Sequence, residues 1–147
     1  MATYKTRISQ ISKTNGKIIL ANDYDHSVKN LEAKTIQNLK KLNQYLCAIK
    51  LNFHLLLPLG SKQISKITQT AHDYGLQTIA DIKLNDIGNT NRVTLENLWD
   101  LGFDAVIANP IMVDEPAVQA ANVIALELVF EPPDAADKSV SKISFRA

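Results

Sequence analysis

The chain has 147 residues, 46% of them hydrophobic and 21% charged, with a formal net charge of +1. That length suits one domain with a single core, and the near-neutral balance argues against a nucleic acid or an anionic membrane as partner. Cys47 is the only cysteine, which excludes a disulfide framework and fits the reducing cytoplasm; inside the apolar "YLCAIKL" it reads as a small buried thiol rather than a nucleophile.

Taken in order, the N-terminal "MATYKTRISQISKTNGK" is polar and lacks the apolar core of a secretory signal. No apolar run in the chain approaches the roughly 20 residues that span a bilayer. A first β-rich run, "KIILAN", occupies 17–22. Ile36, Leu39, Leu42 and Leu46 then recur at helical spacing, leading into a second β-rich run, "YLCAIKLNF" at 45–53. "GSKQ" at 60–63 opens another helix with Ser61 as its expected N-cap, and Ile64, Ile67, Ala71 and Tyr74 mark its apolar stripe. Gly75 stands where that helix should stop, ahead of a third run, "LQTIAD" at 76–81. Val93, Leu95, Leu98 and Trp99 mark a third helix, closed by Gly102 before "FDAVIAN" at 103–109. After "NPIMVDEP", the apolar "VIALELVF" at 123–130 is a candidate fifth strand, and residues 131–147, with paired prolines and small polar side chains, read as an irregular tail.

The spacing between equivalent points is regular. Asp23 to Lys50, Lys50 to Asp81 and Asp81 to Ala108 are 27, 31 and 27 residues apart. Strands alternating with helices at this interval imply consecutive βα units, hence an α/β fold built on a parallel sheet. In such folds ligands bind beyond the C-terminal ends of the strands. The charges gather there: Asp23 closes the first strand, Lys50 lies late in the second, and Asp81 and Lys83 end the third, with Asp86 three residues on. If the strand continues through them, Asp81 and Lys83 share a face. A salt-bridge network would account for one isolated Asp-Lys pair. Charges of both signs at three successive strand ends, continuing into "IGNTN", weigh toward a site instead. His26, His54 and His72 lack ligand spacing, so no metal site is expected.

The segment "DIKLNDIGNTN" at 81–91 resembles the Asp-x-Lys-x-x-Asp-Ile-x-x-Thr-Asn signature of the orotidine 5′-monophosphate decarboxylase family, especially its archaeal forms. "IILANDYD" at 18–25 and "AIKLNFHLLL" at 48–57 resemble that family's first and second strands, so the likeness covers about residues 17–109 in the right order. It implies a TIM (βα)8-barrel fold and a cytoplasmic homodimer that converts orotidine 5′-monophosphate to UMP without metal or cofactor. By the same resemblance, Asp81 would face the substrate carboxylate and Lys83 would protonate the ring carbon that loses carbon dioxide. Lys50 would bridge Asp81 and the ribose, Asp23 would hold a ribose hydroxyl, and Asp86, Ile87 and Thr90 would reach into the partner subunit's site.

Residues 1–147 are expected to form a single partial barrel of four to five βα units, against the eight of a full barrel of about 250 residues. The family's pyrimidine-contacting serine segment is not recognisable in "LELVFEPPD", and none of Arg7, Arg92 and Arg146 follows a glycine as the family's phosphate-binding arginine does. An apparently truncated chain with open sheet edges invites pairing with another chain, and a catalytically inactive barrel fragment is one alternative. The other is a sister magnesium-dependent decarboxylase or aldolase of the same superfamily, which keeps Asp-x-Lys; the Ile-x-x-Thr-Asn continuation fits the orotidine family better.

Overall fold

The computed structural model describes residues 4–25, 27–109 and 123–125. Five strands, β1 (Ile18–Ala21), β2 (Leu46–Asn52), β3 (Gln77–Leu84), β4 (Ala105–Ala108) and β5 (Val123–Ala125), form one sheet in the order β1-β2-β3-β4-β5. Every neighbouring pair is parallel. The helices are α1 (Tyr4–Asn15), α2 (Leu31–Leu42), α3 (Phe53–Leu56), α4 (Ser61–Asp73) and α5 (Gly88–Asp100). The fifth strand expected in "VIALELVF" is present at its first three residues, and the expectations for 110–122 and 126–147, including the irregular tail, lie outside the described residues.

β2 reads as a nearly unbroken apolar run, and β3 is buried from Gln77 to Asp81, because both of their faces are covered. On one face Ile49, Leu51, Ala80, Val106 and Ala108 meet Leu39 of α2, Ile64, Ile67 and Ala71 of α4, and Leu95 and Leu98 of α5. On the other, Ala48, Ile79, Ala105 and Ile107 form a smaller cluster covered by Tyr4 and Ile8 of α1. Burying a Leu or Ile side chain contributes about 1.5–3 kcal/mol, and Leu39, Ile49, Leu51, Ile67, Leu76 and Ile79 are essentially inaccessible.

Gly75 and Gly102 end α4 and α5 as expected, both in the left-handed region with φ of +74° and +87°. In each case the next residue's amide closes the helix, Leu76 N–H to the Ala71 carbonyl and Phe103 N–H to that of Leu98. A side chain at Gly102 would also meet Thr68 Oγ1 at 2.7 Å.

Several local expectations need correction. Leu46 opens β2 rather than closing α2, because a 3-10 turn over Asn43–Tyr45 intervenes. Gly60, not Ser61, caps α4, and its amide donates to Gln63 Oε1 at 3.0 Å. Tyr74 and Val93 are exposed rather than on the buried stripes, and the place on α5 expected for Val93 is taken by Asn91. β3 runs on past Asp81 to Leu84, and α1 was not anticipated at all.

Candidate active site

The C-terminal half of β3 is irregular. Ala80 pairs with Val106 and Leu84 with Ala108, so Asp81, Ile82 and Lys83 stand opposite the single residue Ile107. Such a bulge redirects side chains at a strand end. Within it Lys83 adopts φ +49°, the left-handed region that an L-residue occupies at a cost of order 1 kcal/mol. The expectation of a regular pleat through both residues is therefore replaced by a bulge, yet the two side chains still meet.

Asp81 is buried at 3% exposure and lies between two lysines. Lys50 Nζ donates to its Oδ2 at 2.6 Å, and Lys83 Nζ donates to its Oδ1 at 2.7 Å. Burial pushes the Asp81 carboxyl up, but the hydrogen bonds and charges of Lys50 and Lys83 outweigh it and hold the group below its ordinary value. The two cations differ in access: the Lys50 side chain is 21% exposed and that of Lys83 is 63% exposed. Lys83 thus presents an ammonium toward solvent at the end of the sheet, anchored through a buried carboxylate. A substrate with developing negative charge would find a fixed positive group there, with a carboxylate behind it.

The remaining predicted residues are not drawn into this cluster. Asp23 is exposed in the turn after β1. Asp86, Ile87 and Thr90 are exposed where β3 passes into α5. Asp86 Oδ1 accepts from the amide of Ile87 at 2.8 Å, and the Ile87 side chain is 71% exposed. His54 is also exposed, with Nε2 at 3.2 Å from the Tyr24 carbonyl, and a cleft of about 430 Å³ beside it is lined by Tyr24, Leu31 and Leu55 but by none of the three clustered charges. His26 lies outside the described residues. Among those described, no three His, Cys, Asp or Glu side chains are placed to hold a metal ion.

Sequence reasoning missed the polar residues behind these loops. Asn22 is buried; its amide nitrogen donates to Thr35 Oγ1 at 2.8 Å, and its oxygen accepts from Asn38 at 3.2 Å. Asn38 also donates to the Tyr24 hydroxyl at 2.8 Å, while the Asn22 backbone N–H donates to the Lys50 carbonyl at 3.1 Å. The turn carrying Asp23 is thereby tied to α2 and to the strand carrying Lys50. Thr35 and Asn38, at i and i+3 on α2, were the available signal, since two polar side chains on a helix face next to Leu39 point inward.

The family model described as "Orotidine 5'-phosphate decarboxylase / HUMPS family" matches residues 16–128. The chain is 33% identical over 106 residues to orotidine 5'-phosphate decarboxylase of Pyrococcus abyssi, covering 71% of this chain and 46% of that protein. Against the enzyme of Thermococcus kodakarensis it is 43% identical over 65 residues, covering 44% of this chain and 29% of that one. The crystal structure of orotidine 5'-phosphate decarboxylase from Pyrococcus horikoshii superposes with a TM-score of 0.60 at 29% identity, over 74% of this chain and 50% of that chain. A Leishmania donovani OMP decarboxylase structure gives a TM-score of 0.66 at 17% identity over 46% of its length, a likeness of fold alone. The chain spans about half, or less, of the length of these relatives. Sequence, sheet order and fold together place it in the orotidine 5'-phosphate decarboxylase / HUMPS family.

Proposed function

We propose that this chain carries the decarboxylation site for orotidine 5′-monophosphate, the reaction that completes UMP in pyrimidine biosynthesis, and acts in the cytoplasm. The observation that carries the reading is a buried Asp81 held between Lys50 and Lys83 at the C-terminal end of a parallel sheet. In the reaction the bond between the ring carbon and its carboxylate breaks, carbon dioxide departs, and the electron pair stays on the ring carbon. No neighbouring carbonyl delocalises that pair, so stabilisation has to come from the protein. The Lys83 ammonium supplies it electrostatically and then gives its proton to the carbon, leaving UMP and a neutral lysine that regains a proton from solvent. Asp81 opposes the substrate carboxylate and fixes both ammonium groups; Lys50 links Asp81 to the ribose, and Asp23 holds a ribose hydroxyl.

Asp86, Ile87 and Thr90 are assigned to the site of a second copy in a homodimer. Exposure of all three, and the absence of any bond from Asp86 to the Asp81 cluster among the described residues, supports that assignment. Residues 17–109 supply the strands that bear these groups. Because the chain spans about half of its relatives, turnover by this polypeptide is itself part of the proposal.

The test is conversion of orotidine 5′-monophosphate to UMP by the purified chain, beside Lys83→Ala prepared identically, with sedimentation to give the oligomeric state. UMP formed only by the unsubstituted chain, as a dimer, is the expected result. Equal conversion by both would contradict the role given to Lys83, and none by either would leave an inactive fragment.

A further inference from the structure

Asn91 is the one residue of the "DIGNTN" segment whose side chain is wholly buried, at 0% exposure, although it is polar and sits in the first turns of α5. Its buried neighbours along the helix are Leu95 and Leu98, so the amide occupies a place on the apolar stripe. A buried amide left unpaired is costly, so its partners define its use. Both belong to one residue. Asn91 Oδ1 accepts from the backbone N–H of Asp86 at 3.2 Å, and Asn91 Nδ2 donates to the backbone carbonyl of Asp86.

We propose that Asn91 is a positioning residue that clamps Asp86 from below, fixing both polar groups of its backbone so that the carboxylate stands at a set place on the rim. The need for a clamp is local. Ile87, the residue that caps α5, has no side chain able to bond the helix amides, and Gly88 follows at φ +49°, so the loop gets little stiffness from its own sequence. Asp86 then uses Oδ1 on the Ile87 amide, which orients the carboxylate as well as the backbone. An amide is the side chain suited to this task. It donates and accepts at once, whereas an ionised aspartate of the same shape would set an acceptor against the Asp86 carbonyl, and leucine would offer neither group. The use of the positioned Asp86 in decarboxylation rests on the function proposed above; the clamp itself does not.

The experiment is residue-resolved amide hydrogen exchange on the unsubstituted chain, Asn91→Ala, Asn91→Asp and, as control, Leu95→Ala, which removes a buried side chain from the same helix without touching Asp86. In the unsubstituted protein the Asp86 amide should be protected although its residue is exposed. In both Asn91 variants it should exchange roughly tenfold faster or more, relative to the amides of Val93–Asp100. Leu95→Ala should accelerate the α5 amides together and leave Asp86 no faster than its neighbours. An unprotected Asp86 amide in the unsubstituted chain would overturn the clamp even if every Asn91 variant failed to fold. So would equal Asp86 protection with and without Asn91. Where the unsubstituted chain turns over substrate, Asn91→Asp should also lower kcat; no turnover in that chain would count against the proposed function and leave the exchange result standing on its own.

Discussion

Two aspartates at opposite ends of the same sheet are each gripped by two basic side chains, and they are built for different ends. Asp104, just before β4, accepts from Arg7 of α1 through Oδ1 at 2.8 Å and from the Thr78 amide at 2.9 Å and Thr78 Oγ1 at 2.9 Å through Oδ2, which also lies 2.8 Å from His72 Nε2 of α4. It joins α1, α4 and β3 at the end of the barrel face that serves stability. Arg7 reaches further, donating to Gln77 Oε1 at 2.8 Å. Asp81 is more deeply buried, yet its side-chain partners are two lysines, one of them largely exposed and set on a strained bulge. The ion pair saturated by backbone and rigid donors holds the fold. The other leaves an anchored ammonium facing solvent, as the proposed function requires.

That contrast can be broken by substitution. The largest effect expected is loss of turnover in Lys83→Ala, by about 10³-fold for removal of the proton donor and local positive charge, with an unfolding midpoint close to that of the parent. Asp104→Ala should do the reverse. It removes the acceptor that Arg7 and His72 share and weakens the tie to α1, so urea unfolding should report a loss of about 2–4 kcal/mol while turnover per folded molecule is retained.

Acid sharpens the comparison. Both carboxyls sit below the usual value of 3.8: burial raises each of them, but for Asp81 the two lysines, and for Asp104 the bonds from His72 and Thr78, outweigh it. The unfolded chain therefore takes up these protons first as pH falls. The stability they contribute is fully present above about pH 4, and is lost progressively as pH drops through the lower folded values. Urea midpoints measured from pH 7 to pH 2 should be insensitive to these two groups until about pH 4 and then fall, with a shallower acid slope in Asp104→Asn. The smallest change in stability is expected in Lys83→Gly. Glycine accepts φ +49° without strain, a gain of up to about 1 kcal/mol that is offset by loss of the ion pair to the buried Asp81 carboxylate, so stability should change little while turnover disappears.

Much of this was readable from the chain. The apolar runs and their spacing located four strands, and Lys50, Asp81 and Lys83 announced themselves because charges of both signs interrupt strand ends where nothing structural demands them. The supporting residues stayed hidden for physical reasons. Asp104 has its partners at Arg7 and His72, 97 and 32 residues away, a pairing that local patterns do not encode. Asn91 lies at i−4 and i−7 from Leu95 and Leu98, so it occupied the apolar stripe in plain view, but an asparagine in a polar loop sequence reads as surface. α1 was missed despite Tyr4, Ile8 and Ile11 at i, i+4 and i+7, because its polar residues outnumber this narrow stripe. The bulge at Lys83 has no signature in side-chain type at all: a lysine was found where turn chemistry would have suggested glycine or asparagine.

The most direct measurement sets turnover of orotidine 5′-monophosphate against the thermal midpoint for three proteins prepared together: the unsubstituted chain, Lys83→Ala and Asp104→Asn. The division of labour drawn here predicts that Lys83→Ala loses turnover at an unchanged midpoint, and that Asp104→Asn loses several degrees at unchanged turnover per folded molecule. Turnover that survives in Lys83→Ala, in step with that of the parent, would contradict a catalytic role for the Asp81 cluster.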